Sequence, residues 1–412
     1  QLNSLVEQAL QSAPSLGLVQ ARLVRAQAAS QALDAASGPQ LNLAVDATQQ
    51  RYTAKGAVPP PLAGSIRDSG TAQLSGSWEL DFFGKNRAAL DAALGNMRAA
   101  QADAQAARHL LAAKVVQSYV GLARLNDQMT VAQRTLAQRS HSQRLVQSRV
   151  KAGLDTQLEL HQSEAGLPEA RLQMVTLQEQ IELAKHAMNA LLGKQDMAQA
   201  LALPALAAIK TEVIGASLPI DLMGRRADIV AARWRVEAAS QEVAVAKTQF
   251  YPNVNLVAFA GFSSIGLDRL FQPGTEQWGV GPALRLPVFD GGRLRANLGG
   301  KTADLDAAIA SYNAAVIEAL REVADQLTSQ RAIRLQQQEQ QAAQALAESA
   351  YGIALRRYET GLGNYLQVLS SETAVLNQRR QAVDLAARAL DTQVGLIRAL
   401  GGGFSTDAGR PS

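Results

Sequence analysis

The 412-residue chain is 47% hydrophobic but only 4% aromatic, carries 18% charged residues with a net charge of +4, and has no cysteine. So few aromatics argue against a thick globular core, and the lack of thiols excludes disulfides and thiolate metal sites. The basic residues are scattered among glutamine and serine without stacking aromatics, which is not the pattern of a nucleic-acid surface, and no stretch nears the ~20 apolar residues of a membrane-spanning helix.

In chain order, Leu2 to Ser12 is predicted as a short amphipathic helix, and Pro14 opens a second that runs to about Ala36, broken by Gly38-Pro39. A first strand alternates Leu41, Leu43, Val45 and Ala47 against Asn42, Ala44, Asp46 and Thr48. After a loop containing Pro59 to Pro61, a second alternates Ala72, Leu74, Gly76, Trp78, Leu80 and Phe82 against Thr71, Gln73, Ser75, Ser77, Glu79 and Asp81. Residues 85–152 then run without a proline, enough for one helix about 100 Å long. Its seam is Leu111, Val115, Ser118, Leu122, Leu125, Met129, Ala132 and Leu136, stepping in heptads. The helix stops at Gly153-Leu154, and residues 157–192 are predicted as a return helix kinked at Gly166-Leu-Pro168, where proline removes a ladder bond.

The plan repeats: helix 227–248, strand hairpin 253–288, long helix 293–360 and return helix 365–400. The second long run has an apolar face of Leu305, Ile309, Tyr312, Val316, Leu320, Val323 and Leu327. Leu286-Pro-Val-Phe-Asp-Gly-Gly-Arg293 aligns with Leu80-Asp-Phe-Phe-Gly-Lys-Asn-Arg87, and Arg357 to Leu362 echoes Arg149 to Leu154. The period is roughly 208 residues, far longer than a solenoid repeat. The chain is therefore read as an internal duplication of residues 1–206 and 207–412. In each half, the two shorter helices are long enough to lie end to end beside the long one.

Four strands with one apolar and one polar face cannot close a barrel, and exposed edges are a liability. Three chains would supply twelve, a number that encloses a lumen. In a membrane barrel the apolar face meets lipid, the polar face lines water, and aromatics gather at the interfaces. Phe82, Phe83, Phe250, Tyr251 and Phe289 fall at the helix-side strand ends, with Tyr52, Phe271 and Trp278 toward the loops. The alternatives are a soluble coiled-coil structural protein, or a periplasmic adaptor, which would show one helical hairpin flanked by β-rich domains.

Four motifs carry a family resemblance: Trp78-Glu-Leu-Asp-Phe-Phe-Gly84, the connector Leu218-Pro-Ile-Asp-Leu-Met-Gly-Arg-Arg-Ala-Asp-Ile229, Leu286-Pro-Val-Phe289 with Gly291-Gly-Arg293, and Ala399-Leu-Gly-Gly-Gly403. Together they resemble the TolC-like outer membrane efflux proteins, in the OprM-type lipoprotein branch that serves RND multidrug pumps. The resemblance implies a mainly α protomer in a trimer, with a twelve-strand β-barrel in the outer membrane of a Gram-negative bacterium and a twelve-helix tunnel through the periplasm. On this basis residues 40–83 and 251–290 are assigned to the barrel, and 1–13, 193–226 and 401–412 to an equatorial region. The implied partners are a periplasmic adaptor (membrane fusion) protein, an inner-membrane RND transporter, outer membrane lipid and small-molecule drugs in transit. The branch also implies a lipid anchor on an N-terminal cysteine, which this sequence does not contain, and a pore-lining aspartate where Ser370 stands.

No cofactor or metal is expected. His109, His141, His161 and His186 are isolated along helices, and Gly299-Gly-Lys-Thr302 has Arg295 where a phosphate-binding loop needs glycine. No grouping of serine, histidine and acid suggests an enzyme. The two glycine turns are the site candidates. A plain helix stop explains Gly153 and Gly361 but not the recurrence of Arg149/Arg357 and Leu154/Leu362 around them. By the resemblance, Gly153, Leu154, Gly361 and Leu362 face the adaptor, Glu159 and Tyr358 match latch positions, and Gln367 and Ser370 occupy positions that are often acidic. An ion-pair ring is predicted from Arg149, Lys151, Arg356 and Arg357 with Asp155, Glu159, Glu359 and Glu372.

Overall fold

Helix and strand bounds follow from local capping chemistry. In the computed structural model, which describes residues 1–194, 202–209 and 226–402, the order is α1 (Leu2–Ser12), α2 (Pro14–Ser37), β1 (Gln40–Arg51), β2 (Ile66–Leu80), α3 (Lys85–Lys151), α4 (Gln157–Leu192), α5 (Ala227–Thr248), β3 (Asn253–Ile265), β4 (Glu276–Arg285), α6 (Arg293–Glu359) and α7 (Tyr365–Ala399). The expected strand ends at Phe82 and Val288 are corrected to Leu80 and Arg285. Beyond Leu80, the Asp81 carboxylate turns to accept the Asn86 and Arg87 backbone N–H groups and starts α3. Beyond Arg285, Pro287 has no N–H for a ladder, and Asp290 accepts from the Gly292 and Leu294 N–H groups to start α6. Helix α4 runs unbroken through Pro168.

The chain divides into two compact units. One consists of Ala21–Ala102 and Ala231–Ala314 and holds the sheet. Its strands are antiparallel in the order β1-β2-β3-β4, so the two hairpins join through β2 and β3. The register places Leu43 opposite Leu74, Leu74 opposite Ala260 and Ala260 opposite Trp278. Leu41, Leu43, Val45, Leu74, Trp78, Leu256, Trp278, Val280 and Leu284 thus share one exposed apolar face. The other face carries Asn42, Asp46, Ser75, Gln73, Thr71, Asn255 and Gln277, with Val257 and Phe259 as apolar exceptions. A Cβ at Gly279 would sit 2.7 Å from the Phe259 ring, so the glycine makes room for it. Among the described residues β1 and β4 each have one edge without a neighbour. The helices of this unit pack through small residues. Gly95 lies so close to Ala238 that a Cβ there would be 3.1 Å from the alanine methyl, and Arg98 stacks 4.6 Å from the Trp234 ring.

The other unit, Gln1–Gln20, Asp103–Val230 and Ala315–Ser412, is helical. The α3 seam is its core: Leu111, Val115 and Leu122 pack on Leu5 and Ala9 of α1 and Met188 and Leu192 of α4, and Leu125 and Ala132 pack on Leu177 and Ile181. At its end α4 meets the α1–α2 junction, where Ser12 Oγ donates to Leu192 O at 2.7 Å. Gly193 is required there twice over, by its φ of 67° and because a Cβ would lie 2.6 Å from Ser12 O. The end of α7 is held by Arg226, which reaches Ala399 O at 3.0 Å, Asp228 at 2.7 Å and Glu322 at 2.9 Å. Arg226 to Ile229 are the described part of the connector motif; residues 210–225 and 403–412 lie outside the described residues. The apolar face predicted for α6 does not form a buried seam: Ile309 and Leu320 are exposed and Leu305, Tyr312, Val316, Val323 and Leu327 only half-buried.

No described helix is long and apolar enough to cross a membrane, whereas the sheet presents a continuous apolar face. An arginine at Leu74 on that face is expected to cost about 2–4 kcal/mol of folding stability in bilayers, and one at Gln73 on the polar face close to nothing. Equal losses, measured by denaturant unfolding in vesicles, would refute the assignment of the two faces.

Candidate functional site

The α3–α4 and α6–α7 hairpins close in the same way. Gly153 and Gly361 adopt φ of 72° and 78°. In the first turn the Leu154 N–H donates to Arg149 O and the Gly153 N–H to Val150 O; in the second, Leu362 donates to Arg357 O and Gly361 to Tyr358 O. This is the paired 6→1 and 5→2 pattern that ends a helix on a left-handed glycine. The recurring Arg/Leu pairs are therefore, in their backbones, the two ends of the longer bond. Their side chains are not explained by the turn: Leu154 and Leu362 are 65% and 72% exposed.

The next helix of each hairpin is capped from its own sequence. Thr156 and Glu159 form a reciprocal capping box at α4, and the Thr156 contacts hold the Glu159 carboxyl below its ordinary pKa. At α7, Asn364 Oδ1 accepts the Gln367 N–H at 3.1 Å. The Gln367 and Ser370 side chains are both exposed.

Between the turns, three expected residues come together. Arg149 Nε donates to Asp155 Oδ2 at 3.0 Å, the Tyr358 hydroxyl donates to the same oxygen, and the Arg149 guanidinium lies 4.6 Å from the centre of the Tyr358 ring. Tyr358 is buried with Val146, Tyr365 and Val368. Burial, then the hydrogen bond to Asp155, push its phenol well above the ordinary tyrosine pKa, so it stays a donor at any physiological pH. Burial, then the Glu372 carboxylate, raise Tyr365 to about 12.

The rest of the predicted ring is arranged differently. Arg357 donates to Leu362 O within its own turn, Arg356 to Gly352 O one helical turn back, and Glu159 serves its cap. Glu372 faces away from the turn arginines, toward Arg139 and Gln138 of α3, at 3.2 Å each. Arg139 also reaches Gly166 O at 2.8 Å and Glu169 at 2.9 Å on α4. A Cβ on Gly166 would crowd the Arg139 Cδ at 3.3 Å, which gives that glycine a role unrelated to bending. Continuing the heptad count three residues past Leu136 lands on Arg139, so an arginine at a seam position was the signal that this polar centre existed.

Between α6 and α7, a groove of 670 Å³ is lined by Leu335, Gln340, Ala343, Gln378, Leu385 and Arg388, among others. No group of three or more His, Asp or Glu suited to a metal occurs among the described residues. Tyr358→Phe removes one donor from a mostly buried carboxylate and is expected to cost about 1–2 kcal/mol; Tyr358→Ala, which also empties a packed site, about 3–5 kcal/mol. Denaturation midpoints of the purified protein check the order, and a Phe variant as unstable as the Ala variant would contradict it.

The profile of the family described as "Outer membrane efflux protein" matches residues 5–194 and 215–402. The multidrug resistance outer membrane protein MdtQ of Escherichia coli O6:H1 is 32% identical over 421 residues, 98% of this chain and 86% of MdtQ. Outer membrane protein OprJ of Pseudomonas aeruginosa is 33% identical over 420 residues, 100% of this chain and 85% of OprJ. Among solved structures, the outer membrane protein VceC of Vibrio cholerae matches with a TM-score of 0.91 at 39% identity, over 98% of this chain and 97% of that one.

Proposed function

The chain belongs to the outer membrane efflux protein family and shares the TolC-like channel fold, and from that premise we propose that it is a passive, homotrimeric exit duct whose periplasmic end is held shut by the Arg149–Asp155–Tyr358 contact. Each sequence half, 1–206 and 207–412, supplies one strand hairpin to a twelve-strand barrel and one helical hairpin to the tunnel. The unpaired outer edges of β1 and β4 support this reading, since joining copies edge to edge removes both edges. The duct does no chemistry. Small-molecule drugs are driven through it by an inner-membrane RND transporter, coupled by a periplasmic adaptor that meets the exposed Leu154 and Leu362 at the tips. A lipid anchor on a residue ahead of Gln1 belongs to the same reading.

The observation that carries the gate is the shared acceptor. Asp155 belongs to the first hairpin and Tyr358 to the second, so separating the hairpins must break that bond. An exposed ion pair contributes about 0–1 kcal/mol, but this contact is mostly buried and the trimer repeats it three times. Asp155→Ala is expected to raise single-channel conductance in planar bilayers, and Arg149→Ala to do so less. Arg357→Ala is expected to leave it unchanged, because among the described residues the Arg357 side chain bonds within its own turn, to Leu362 O. Gln367→Asp with Ser370→Asp is expected to increase cation preference. Wild-type conductance for a correctly assembled Asp155→Ala trimer would place the gate elsewhere.

A further inference from the structure

Glu372 of α7 is 3% exposed, yet it is a carboxylate with no part in the turn contact. Its two oxygens accept from Arg139 Nε and Gln138 Nε2 of α3. The same guanidinium is shared with the exposed Glu169 of α4 and the Gly166 carbonyl. One cation therefore serves two carboxylates and ties α3, α4 and α7 together. The rest of the surround is weakly polar. Tyr351 of α6 presents a buried hydroxyl that faces Ser142 of α3 without completing a hydrogen bond, and Tyr365 is the buried neighbour on α7 itself. This centre lies on the helix side of the Tyr358 core, where Val146, Tyr365 and Val368 pack. Like Asp155 and Tyr358, it bridges the first hairpin and the second.

We propose that Arg139 and Glu372 form a second clamp between the two hairpins, independent of the turn contact and tightened by acidification of the periplasm. The proposal rests on the tip-gating reading in one respect: opening has to separate α3 from α7 and admit water to Glu372.

The direction follows from linkage. In the closed arrangement burial raises the Glu372 pKa, and this outweighs the Arg139 contacts that lower it; Glu169 adds to the rise. Once the hairpins part and the carboxyl is hydrated, its pKa returns toward the ordinary value. Protons then bind the closed state better than the open one. Falling pH therefore favours closure, fully so below the ordinary carboxylate pKa, and the advantage is lost as pH rises through the closed-state pKa. Each unit of difference changes the open–closed ratio by up to about tenfold per protomer. When ionised, the carboxylate is held by Arg139 at the expense of its desolvation, and this is the weaker of the two closed forms.

The test is planar-bilayer recording of the purified trimer from about pH 8 to about pH 5, a range that spans carboxylate titration in a buried setting. Wild type is expected to lose open probability on acidification. Glu372→Gln, neutral and of the same shape, is expected to hold the acid-like low value throughout. Asp155→Ala is expected to raise conductance while retaining the pH step. If Asp155→Ala opens the channel and Glu372→Gln keeps the wild-type pH step, the clamp is refuted and tip gating stands. If Asp155→Ala has no effect, tip gating itself fails. Hydrogen exchange on wild-type protein gives a second measure that needs no variant. Amides around residues 136–142 and 368–376 are expected to gain protection as pH falls, after correction for the intrinsic rate, and unchanged protection would overturn the proposal.

Discussion

Along residues 88–102 of α3 the helix backbones approach so closely that little beyond alanine or glycine fits between them, and this constrains the packing of that whole stretch. Ala88, Ala92, Ala99 and Ala102 are buried along one stretch of α3, and Gly95 meets Ala238 at a separation that forbids a Cβ without displacement. Small side chains bury little area each, at about 25 cal/mol per Å², so the helices gain stability through length. Such packing also leaves leucines outside. Leu172, Val175 and Leu183 on α4 and Leu335, Leu346 and Ile353 on α6 remain exposed in the single chain, in keeping with a protomer that is finished by its neighbours.

Against that apolar, small-residue background the buried polar centres stand out, and they sit where hairpins or helix ends meet. Asp155 takes two donors at the turns, Glu372 takes two above them, and Arg226 gathers Asp228, Glu322 and the Ala399 carbonyl at the far end of α7. A buried hydrogen-bonded charge adds little net stability compared with an apolar replacement, but losing one of its partners is costly. Contacts of this kind fix where two elements meet. They also make separation stepwise, since each centre has to be broken as a unit.

Much of this was legible in the sequence, because long proline-free runs and strict alternation report backbone geometry directly. The α3 seam is an example: Leu111, Val115, Leu122, Leu125 and Ala132 are all buried. The apolar face of α6 was legible as a pattern, but its burial was not, since a periodic stripe does not say whether its partner lies in the same chain. At the tips the glycine stops were plain; Tyr358 was reached through family resemblance and Asp155 through charge pairing with Arg149, while their bond to each other was not foreseen. Sequence proximity misled for the remaining charges. Glu372 lies near Arg356 and Arg357 along the chain but points to Arg139, because seam geometry outranks chain distance. The reading of Gly166-Leu-Pro168 as a kink came from the proline and gave no sign of the Arg139 side chain that packs on Gly166.

The ladder between β2 and β3 has a consequence for how the molecule comes into being. It pairs residues such as Thr71 and Ser263, 192 positions apart, so the four-stranded sheet cannot be completed until most of the second half has been made. Pairing at such separation is slow, because the entropy of closing the loop is lost before the contacts are gained. Until then the first hairpin has an apolar face and two open edges, which is the form of a chain prone to misassociate. A nascent protomer therefore depends on being shielded in transit, and its local helices, which need no distant partner to start, are free to form first.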